Sequence, residues 1–179
     1  MPSADAFRLR DALWPHKMQN MVKLFVAVAL LAFVQVWPLT AHAQPSDDPY
    51  AVHGYDPRRD PKADISAASV RATKEGKRIL VIAGGDWCVW CKILDRALAQ
   101  DSEVMAEVAQ TFVIVDVNMS RENTNSGFFR NYRKAPGYPD FLILESDGSF
   151  LGAQDTSKLE RGDGYNRKSL IAFARRWRS

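Results

Sequence analysis

The 179-residue chain has few of the residues that define several large classes of protein. It has two cysteines, Cys88 and Cys91, so at most one intrachain disulfide can form and no disulfide framework can hold the fold together. It also has little excess charge, since 24 Lys and Arg against 21 Asp and Glu leave a formal net charge of +3. Nucleic-acid binding requires a basic face that neutralises several phosphates, so no nucleic-acid partner is expected.

The apolar run near the N-terminus is too short to be a membrane span. Leu24–Val36 has 13 residues, whereas a spanning helix needs about 20. Lys17 and Lys23 precede the run and Ala41-His42-Ala43 follows it, which is typical of a secretory signal peptide over residues 1–43, cleaved near Ala43. The cleaved product is expected to be periplasmic or secreted, without stable membrane insertion. A buried core helix or an uncleaved anchor is the alternative.

The remaining composition, 46% hydrophobic and 25% charged, suits one folded domain. Four prolines in residues 44–63 predict an extended N-terminal arm without regular structure, ahead of a domain over residues 64–179. The predicted elements are a helix over Asp64–Glu75, a strand over Arg78–Ala83, a helix from Trp87 to about Leu98 capped by Asp86, a helix over Glu103–Gln110, a strand over Thr111–Val117, a helical face of Phe128, Phe129 and Tyr132, a hairpin of Phe141–Leu144 and Ser149–Leu151, and a C-terminal helix bearing Leu170, Phe173, Ala174 and Trp177. This order indicates a mixed α/β sheet covered on both faces.

The segment Asp86–Lys92 (DWCVWCK) contains a CxxC motif between a predicted strand and a predicted helix. In that position the first sulfur lies at a helix N-terminus, where free N–H groups and the helix dipole stabilise a thiolate, and the second lies one turn behind it. A zinc half-site and a pair of inert buried thiols are the alternatives. Structural zinc normally takes four ligands, and beyond residue 43 the chain offers no other cysteine pair and only His53. The pattern therefore favours a redox-active disulfide, with no metal and no other cofactor.

Two segments carry a resemblance to a known family. Arg78–Lys92 (RILVIAGGDWCVWCK) and Gly137–Gly148 (GYPDFLILESDG), with the closing amphipathic helix, resemble the thioredoxin superfamily over about Asp64–Ser179. The resemblance is closest in kind to secreted bacterial thioredoxin-like proteins and to the C-terminal domain of the periplasmic membrane thiol reductase. It implies a thioredoxin fold, with a mixed central β-sheet and helices on both faces.

The resemblance also implies roles for individual residues. Cys88 matches the nucleophile, Cys91 the resolving thiol, and Trp87 the tryptophan that packs beside the disulfide. Pro139 falls where the family has a cis-proline, and a cis bond would leave the backbone of Tyr138 free to pair with an extended substrate segment. From the residues alone Pro139 is expected to be trans, because only about 5% of X–Pro bonds are cis.

One position departs from the family pattern. Many members place a buried carboxylate six residues before the first cysteine, where it helps to take the proton of the resolving thiol, and Ile82 occupies that position here. Either Asp86, Asp140 or a solvent path serves in proton transfer, or the exchange is slower at neutral pH. Asp86 has a second interpretation as a plain helix N-cap.

The dipeptide Val89-Trp90 between the cysteines bears on both substrate and direction. With Trp87 and Tyr138 its side chains are predicted to form an exposed apolar rim for docking proteins, although packing alone would also explain Trp90. The dipeptide supplies no cationic or hydrogen-bonding group to hold the thiolate strongly, which favours a reductase over an oxidase or isomerase.

These observations predict a periplasmic thiol–disulfide oxidoreductase that reduces protein disulfides and takes electrons from a membrane donor. Two other hypotheses remain open. In one, the chain is a thioredoxin-fold protein-binding module in which the arm Gln44–Ala63 and a predicted loop Gln154–Asn166 bind one partner and the CxxC motif is incidental. In the other, it is a dedicated thiol carrier for cofactor or metal-site maturation.

Overall fold

The structure is a computed structural model that describes residues 48–179, so the predicted signal peptide lies outside the described residues. The described chain forms one five-stranded sheet with helices against both of its faces, and a separate short hairpin. The elements in chain order are β1 (Tyr50–Val52), α1 (Pro61–Glu75), β2 (Arg78–Gly84), α2 (Val89–Gln100), α3 (Ser102–Thr111), β3 (Phe112–Asn118), α4 (Ser126–Phe129), β4 (Asp140–Leu144), β5 (Phe150–Asp155), a 3-10 helix (Thr156–Leu159), β6 (Glu160–Arg161), β7 (Gly164–Tyr165) and α5 (Arg167–Arg176).

The sheet is mixed, with strand order β1-β3-β2-β4-β5. Strands β1, β3 and β2 are parallel, whereas β4 runs antiparallel to β2 and β5 antiparallel to β4. The central strands β2 and β3 are almost continuously apolar because both of their faces are covered, as parallel strands in α/β proteins are. The predicted fold class is therefore confirmed. No helix within residues 48–179 is both long and apolar enough to cross a membrane.

Alternation along β2 divides the core into two layers. Leu80 and Ile82 pack in the cluster that includes side chains of α2, α3 and α5, whereas Ile79 and Val81 pack in the cluster on the α1 side. Successive residues of a strand point to opposite faces, so the position of a residue along a strand decides which layer it joins. This alternation also decides which polar side chains reach the CxxC motif.

The N-terminal arm is more regular than its prolines predict. Tyr50–Val52 adds an edge strand parallel to β3, and Arg71 Nη1 of α1 donates a hydrogen bond to the Tyr50 carbonyl at 3.1 Å. Helix α1 starts at Pro61, where the missing N–H of proline costs nothing, and the Asp60 side chain accepts from the Lys62 N–H at 3.0 Å. Proline therefore opens the helix here and does not exclude it.

Two later segments also differ from the prediction. Helix α4 ends at Phe129, so Tyr132 does not continue it, although the Tyr132 ring lies 5.1 Å from that of Phe128. Residues 154–166, expected to be a loop, contain the end of β5, the 3-10 helix and the β6–β7 hairpin.

Candidate functional site

The two cysteines form a disulfide where the chain passes from β2 into α2. Their Cα atoms are 5.3 Å apart, and the side chains of Cys88 and Cys91 are 4% and 3% exposed. Because both cysteines are buried, the side chains that surround them determine which partner protein can reach the disulfide.

Cys88, and not Asp86, is the N-cap of α2. The Cys91 N–H donates to the Cys88 sulfur at 3.1 Å, and the helix begins at Val89, two residues later than predicted. The Asp86 cap was wrong because the chain makes a further turn after β2, with the Cys88 N–H bonded to the Gly85 carbonyl at 2.9 Å. The Cys88 sulfur therefore occupies the cap position, where the N–H and the helix dipole stabilise its thiolate after reduction.

Gly84 allows the disulfide to lie directly against the end of β2. A Cβ atom at this position would lie 2.6 Å from the Cys91 sulfur and 2.9 Å from the Tyr55 hydroxyl. Both distances are far below van der Waals contact, so any side chain here would displace the resolving cysteine. The strand predicted over Arg78–Ala83 ends just before Gly84, and its pattern does not predict this contact.

Trp87 is the most prominent aromatic side chain beside the disulfide. It is 57% exposed, yet its indole Nε1 donates to the Met119 carbonyl at 2.7 Å, and its ring meets the Tyr138 ring edge-on at 5.7 Å. Val89 is 67% exposed on the first turn of α2. Trp87 and Val89 are thus exposed apolar side chains on either side of Cys88 in the chain, and Tyr138 contacts Trp87.

Trp90 and Pro139 each contact a residue outside the CxxC segment. The half-buried Trp90 packs edge-on against Tyr165 of the β6–β7 hairpin, with ring centroids 5.9 Å apart. Pro139 is buried, its carbonyl accepts from Thr156 Oγ1 at 2.5 Å, and the Tyr138–Pro139 peptide bond is cis.

A groove of about 750 Å³ opens beside Trp87. Its walls come from the N-terminal arm, the segment before α2, the segment after β3, and Tyr138. Its lining residues are Tyr55, Pro57, Asp86, Trp87, Asn118, Met119, Ser120, Arg121, Glu122, Thr124 and Tyr138. The groove is open and its surface is largely apolar, so it can accept an extended peptide segment.

Asp140 cannot serve Cys91, because it lies on the other face of the sheet. It pairs with Ala83 of β2. Leu142 and Leu144, which point to the same face of β4 as Asp140, pack in the cluster on the α1 side. Its carboxylate accepts from Arg133 Nη2 at 2.6 Å, and burial raises its pKa against the opposing effect of that guanidinium. Asp140 is therefore occupied by an ion pair away from the resolving thiol.

Sequence reasoning missed a different buried carboxylate, Asp116 of β3. It is 7% exposed and lies directly across from Ile82 in the register of β2 and β3. Burial raises its pKa to about 6, opposed by the Gly54 N–H that donates to it at 2.8 Å. The signal was present in the strand TFVIVDV, because a charged residue within a fully buried strand is rare unless it is paired or functional.

No group of three or more Cys, His, Asp or Glu within residues 48–179 is arranged to hold a metal ion. The arrangement instead places a disulfide at a helix N-terminus, beside an exposed tryptophan and an open groove. Its chemistry is that of sulfur exchange, in which a thiolate attacks a disulfide sulfur.

Comparison with known proteins identifies relatives of this domain. Residues 60–146 match a family model described as thioredoxin-like. The thiol:disulfide interchange protein DsbD of Haemophilus ducreyi is 23% identical over 131 residues, which is 71% of this chain and 22% of that protein. DsbD of Pseudomonas fluorescens is 26% identical over 87 residues, covering 49% of this chain and 15% of that protein. The chain thus spans about a fifth of the length of these relatives or less.

A solved structure supports the same assignment of the fold. The disulphide isomerase from Xylella fastidiosa Temecula1 aligns with a TM-score of 0.58 at 21% identity, covering 68% of this chain and 94% of that one. The predicted thioredoxin fold and the resemblance to thioredoxin-like proteins are confirmed, and the relatives support the thiol–disulfide oxidoreductase class.

Proposed function

Residues 60–146 match a thioredoxin-like family model, and on that premise we propose that the Cys88–Cys91 pair reduces disulfide bonds of other proteins. The observation that carries the proposal is the position of the Cys88 sulfur. It caps α2 and receives an N–H hydrogen bond, and the exposed Trp87 precedes it directly in the chain. A thiolate formed there is stabilised and still borders a surface that another protein can contact.

The reaction is a dithiol–disulfide exchange in two steps. The Cys88 thiolate attacks one sulfur of the substrate disulfide, forms a mixed disulfide, and releases the other substrate sulfur as a thiolate. The Cys91 thiol then loses its proton and attacks the Cys88 sulfur, which releases the second substrate thiolate and restores the Cys88–Cys91 disulfide. Two electrons pass to the substrate, so each cycle requires a reductant that reduces the pair again.

We place the reaction in the periplasm or outside the cell, with a membrane protein as the electron donor. The apolar run Leu24–Val36 with its basic flank and the Ala41-His42-Ala43 sequence support export. An oxidising compartment supplies no reducing thiol pool, so the electrons must come from elsewhere. The names of the curated relatives, which are thiol:disulfide interchange proteins, are consistent with this chemistry.

The substrates are protein segments that lie extended along the groove beside Trp87. Trp87 contributes a large exposed apolar surface whose orientation is held by its bond to the Met119 carbonyl. Aromatic side chains held in this way are frequent hot spots of protein–protein contact.

Trp87→Ala is expected to raise the KM for a protein disulfide about tenfold and to change kcat less than about twofold, because only substrate contact is lost. Steady-state insulin reduction measures both constants. Val70→Ala is the control, since Val70 is 74% exposed on α1 and lies outside the groove lining. A tenfold fall in kcat at unchanged KM would contradict a role in substrate contact.

The function itself is tested by insulin reduction in the presence of dithiothreitol. The reduced chain is expected to accelerate insulin precipitation, and the same chain with both thiols alkylated by N-ethylmaleimide is expected to match the rate with dithiothreitol alone. Equal rates for the free and the alkylated chain, with partner capture retained, would identify a binding module instead. A chain that reduces one dedicated partner but not insulin would identify a thiol carrier for cofactor or metal-site maturation.

The direction is tested by equilibrating the Cys88–Cys91 pair against glutathione buffers. A potential near about −270 mV is the expected result for a reductase. A potential near about −120 mV would overturn the proposed direction. A cysteine pair with so oxidising a potential passes its disulfide on to substrates.

A further inference from the structure

Ile82 of β2 stands where many thioredoxin-like proteins have a buried carboxylate, and the carboxylate of Asp116 lies beside it on the adjacent strand β3. Ile82 and Asp116 are register partners on β2 and β3. Ile82, Phe112 and Ile114 all pack in the cluster that includes α2, so Asp116, two residues after Ile114, points toward the same layer. The acid thus approaches the disulfide from the neighbouring strand.

Asp116 and Cys91 line one small cavity beneath α2, with a volume of about 130 Å³. Tyr55 lies in the same cavity, and its hydroxyl and the Cys91 sulfur both lie against Gly84. Burial, followed by the charge of Asp116, raises the pKa of the Tyr55 phenol, so Tyr55 stays protonated near neutral pH. The cavity therefore brings the resolving cysteine, a protonated phenol and the carboxylate together.

Asp116 has no cationic partner among the ion pairs of residues 48–179. Gly54, whose φ of 90° suits glycine, donates its N–H to Oδ2 at 2.8 Å. The titratable or charged residues that share the cavity are Tyr50, His53 and Tyr55 of the arm, Asp86 before α2, and Lys92 and Asp95 of α2. His53 is hydrogen-bonded to Asp95 at 2.9 Å.

Building on the proposed function, we propose that Asp116 exchanges a proton with Cys91 across this cavity during the second step of the reaction. In the mixed disulfide the Cys91 thiol gives its proton to the Asp116 carboxylate. The resulting thiolate attacks the Cys88 sulfur, the bond between Cys88 and the substrate breaks, and the substrate sulfur leaves as a thiolate. When a donor thiolate later attacks Cys88, Cys91 leaves as a thiolate and takes the proton back from Asp116.

The raised pKa of Asp116, about 6, suits this exchange in both directions. An acid whose pKa lies near the working pH can both accept and return a proton, whereas an ordinary carboxyl would hold it too weakly. Burial is the main cause, with Asp95 acting in the same direction and His53 in the opposite one.

The test isolates the second step. The mixed disulfide of Cys88 with thionitrobenzoate is formed from the reduced chain and 5,5′-dithiobis(2-nitrobenzoate) at about pH 4, where both Cys91 and Asp116 are protonated. A stopped-flow jump to higher pH then starts the attack of Cys91, and the released thionitrobenzoate gives its rate. We expect the wild-type rate to rise through an inflection near the pKa of Asp116.

Asp116→Asn is expected to slow this release by about 100-fold at neutral pH and to remove the inflection, while Cys88 alkylation changes less than about twofold. Asp64→Asn, which removes a buried carboxylate on α1 outside the cavity, is the matched control and should release thionitrobenzoate at the wild-type rate. The double variant Ile82→Asp with Asp116→Asn returns a carboxylate to the cavity from β2 and is expected to recover most of the rate.

A thermal melt separates proton transfer from a structural effect. A folded-state pKa above the unfolded value means that ionised Asp116 destabilises the fold, with stability lost as pH rises through about 6. Asp116→Asn is therefore expected to melt no lower than wild type at about pH 7.5. A variant that is equally stable but slower in release cannot be explained by disturbed packing.

The experiments distinguish a failure of the Asp116 proposal from a failure of the proposed reductase function. If the wild-type chain releases thionitrobenzoate with an inflection near pH 6 that Asp116→Asn retains, Asp116 is not the acceptor. A wild-type rate with no inflection between about pH 5 and pH 8 overturns the proposal without any variant. If the wild-type chain neither resolves the mixed disulfide nor reduces insulin, the proposed function fails first.

Discussion

Cys88→Ser is expected to lower the rate of insulin reduction by at least about 1000-fold, and Cys91→Ser to stop the reaction at the mixed disulfide. A serine hydroxyl at position 88 has no thiolate form near neutral pH, so the favourable position at the N-terminus of α2 has no anion to stabilise. With serine at position 91, Cys88 still attacks the substrate, but no second nucleophile lies within reach to release it.

The two variants are therefore expected to lose turnover in different ways, which non-reducing electrophoresis with mass spectrometry distinguishes. Cys91→Ser should accumulate one substrate molecule per chain, linked through Cys88 and released by dithiothreitol. Cys88→Ser should accumulate none, even though Cys91 remains in place, because Cys91 does not hold the N-cap position at which the Cys88 thiolate is stabilised. Adducts on Cys91 in the Cys88→Ser chain would reverse the assignment of nucleophile and resolving thiol.

Phe112→Ala is expected to lower the free energy of unfolding by about 3–5 kcal/mol, the largest stability effect that we predict for one substitution. Phe112 begins β3, is 0% exposed, and its ring stacks on that of Phe173 of α5 at 5.6 Å. Truncation would leave a cavity between the sheet and the C-terminal helix that these side chains cannot collapse to fill. Urea unfolding of the oxidised chain measures the difference, with the slope m as a check on two-state behaviour.

Phe150→Ala is the matched control for this measurement. Phe150 is 49% exposed on β5 and its main ring contact is Tyr132 at 5.3 Å, so its loss is expected to cost less than about 1 kcal/mol. Equal losses of unfolding free energy for the two variants would mean that packing against Phe112 is not the main interaction that holds α5 on the sheet.

Local patterns in the sequence were sufficient to predict most of the helices and strands. The apolar strand Arg78–Gly84, the cysteine spacing and the helical stripe of α5 each depend on neighbours within a few turns, so periodicity alone predicts them. The same holds for the redox pair, because the positions of Cys88 and Cys91 relative to a strand end and a helix start follow from three residues of separation.

Only the tertiary structure decided which distant side chains serve that pair. Asp140 lies on β4, which pairs with β2 next to the motif, but its side chain faces the α1 side of the sheet. Asp116 lies within the apolar strand β3, and the sequence does not show that β3 pairs with β2. Strand order and register between segments about 30 residues apart depend on how the whole core packs, and a shift of one residue reverses every side chain of a strand. The chain's sequence therefore determined the chemistry of the two sulfurs, and the packing of β2 against β3 determined which carboxylate lies beneath them.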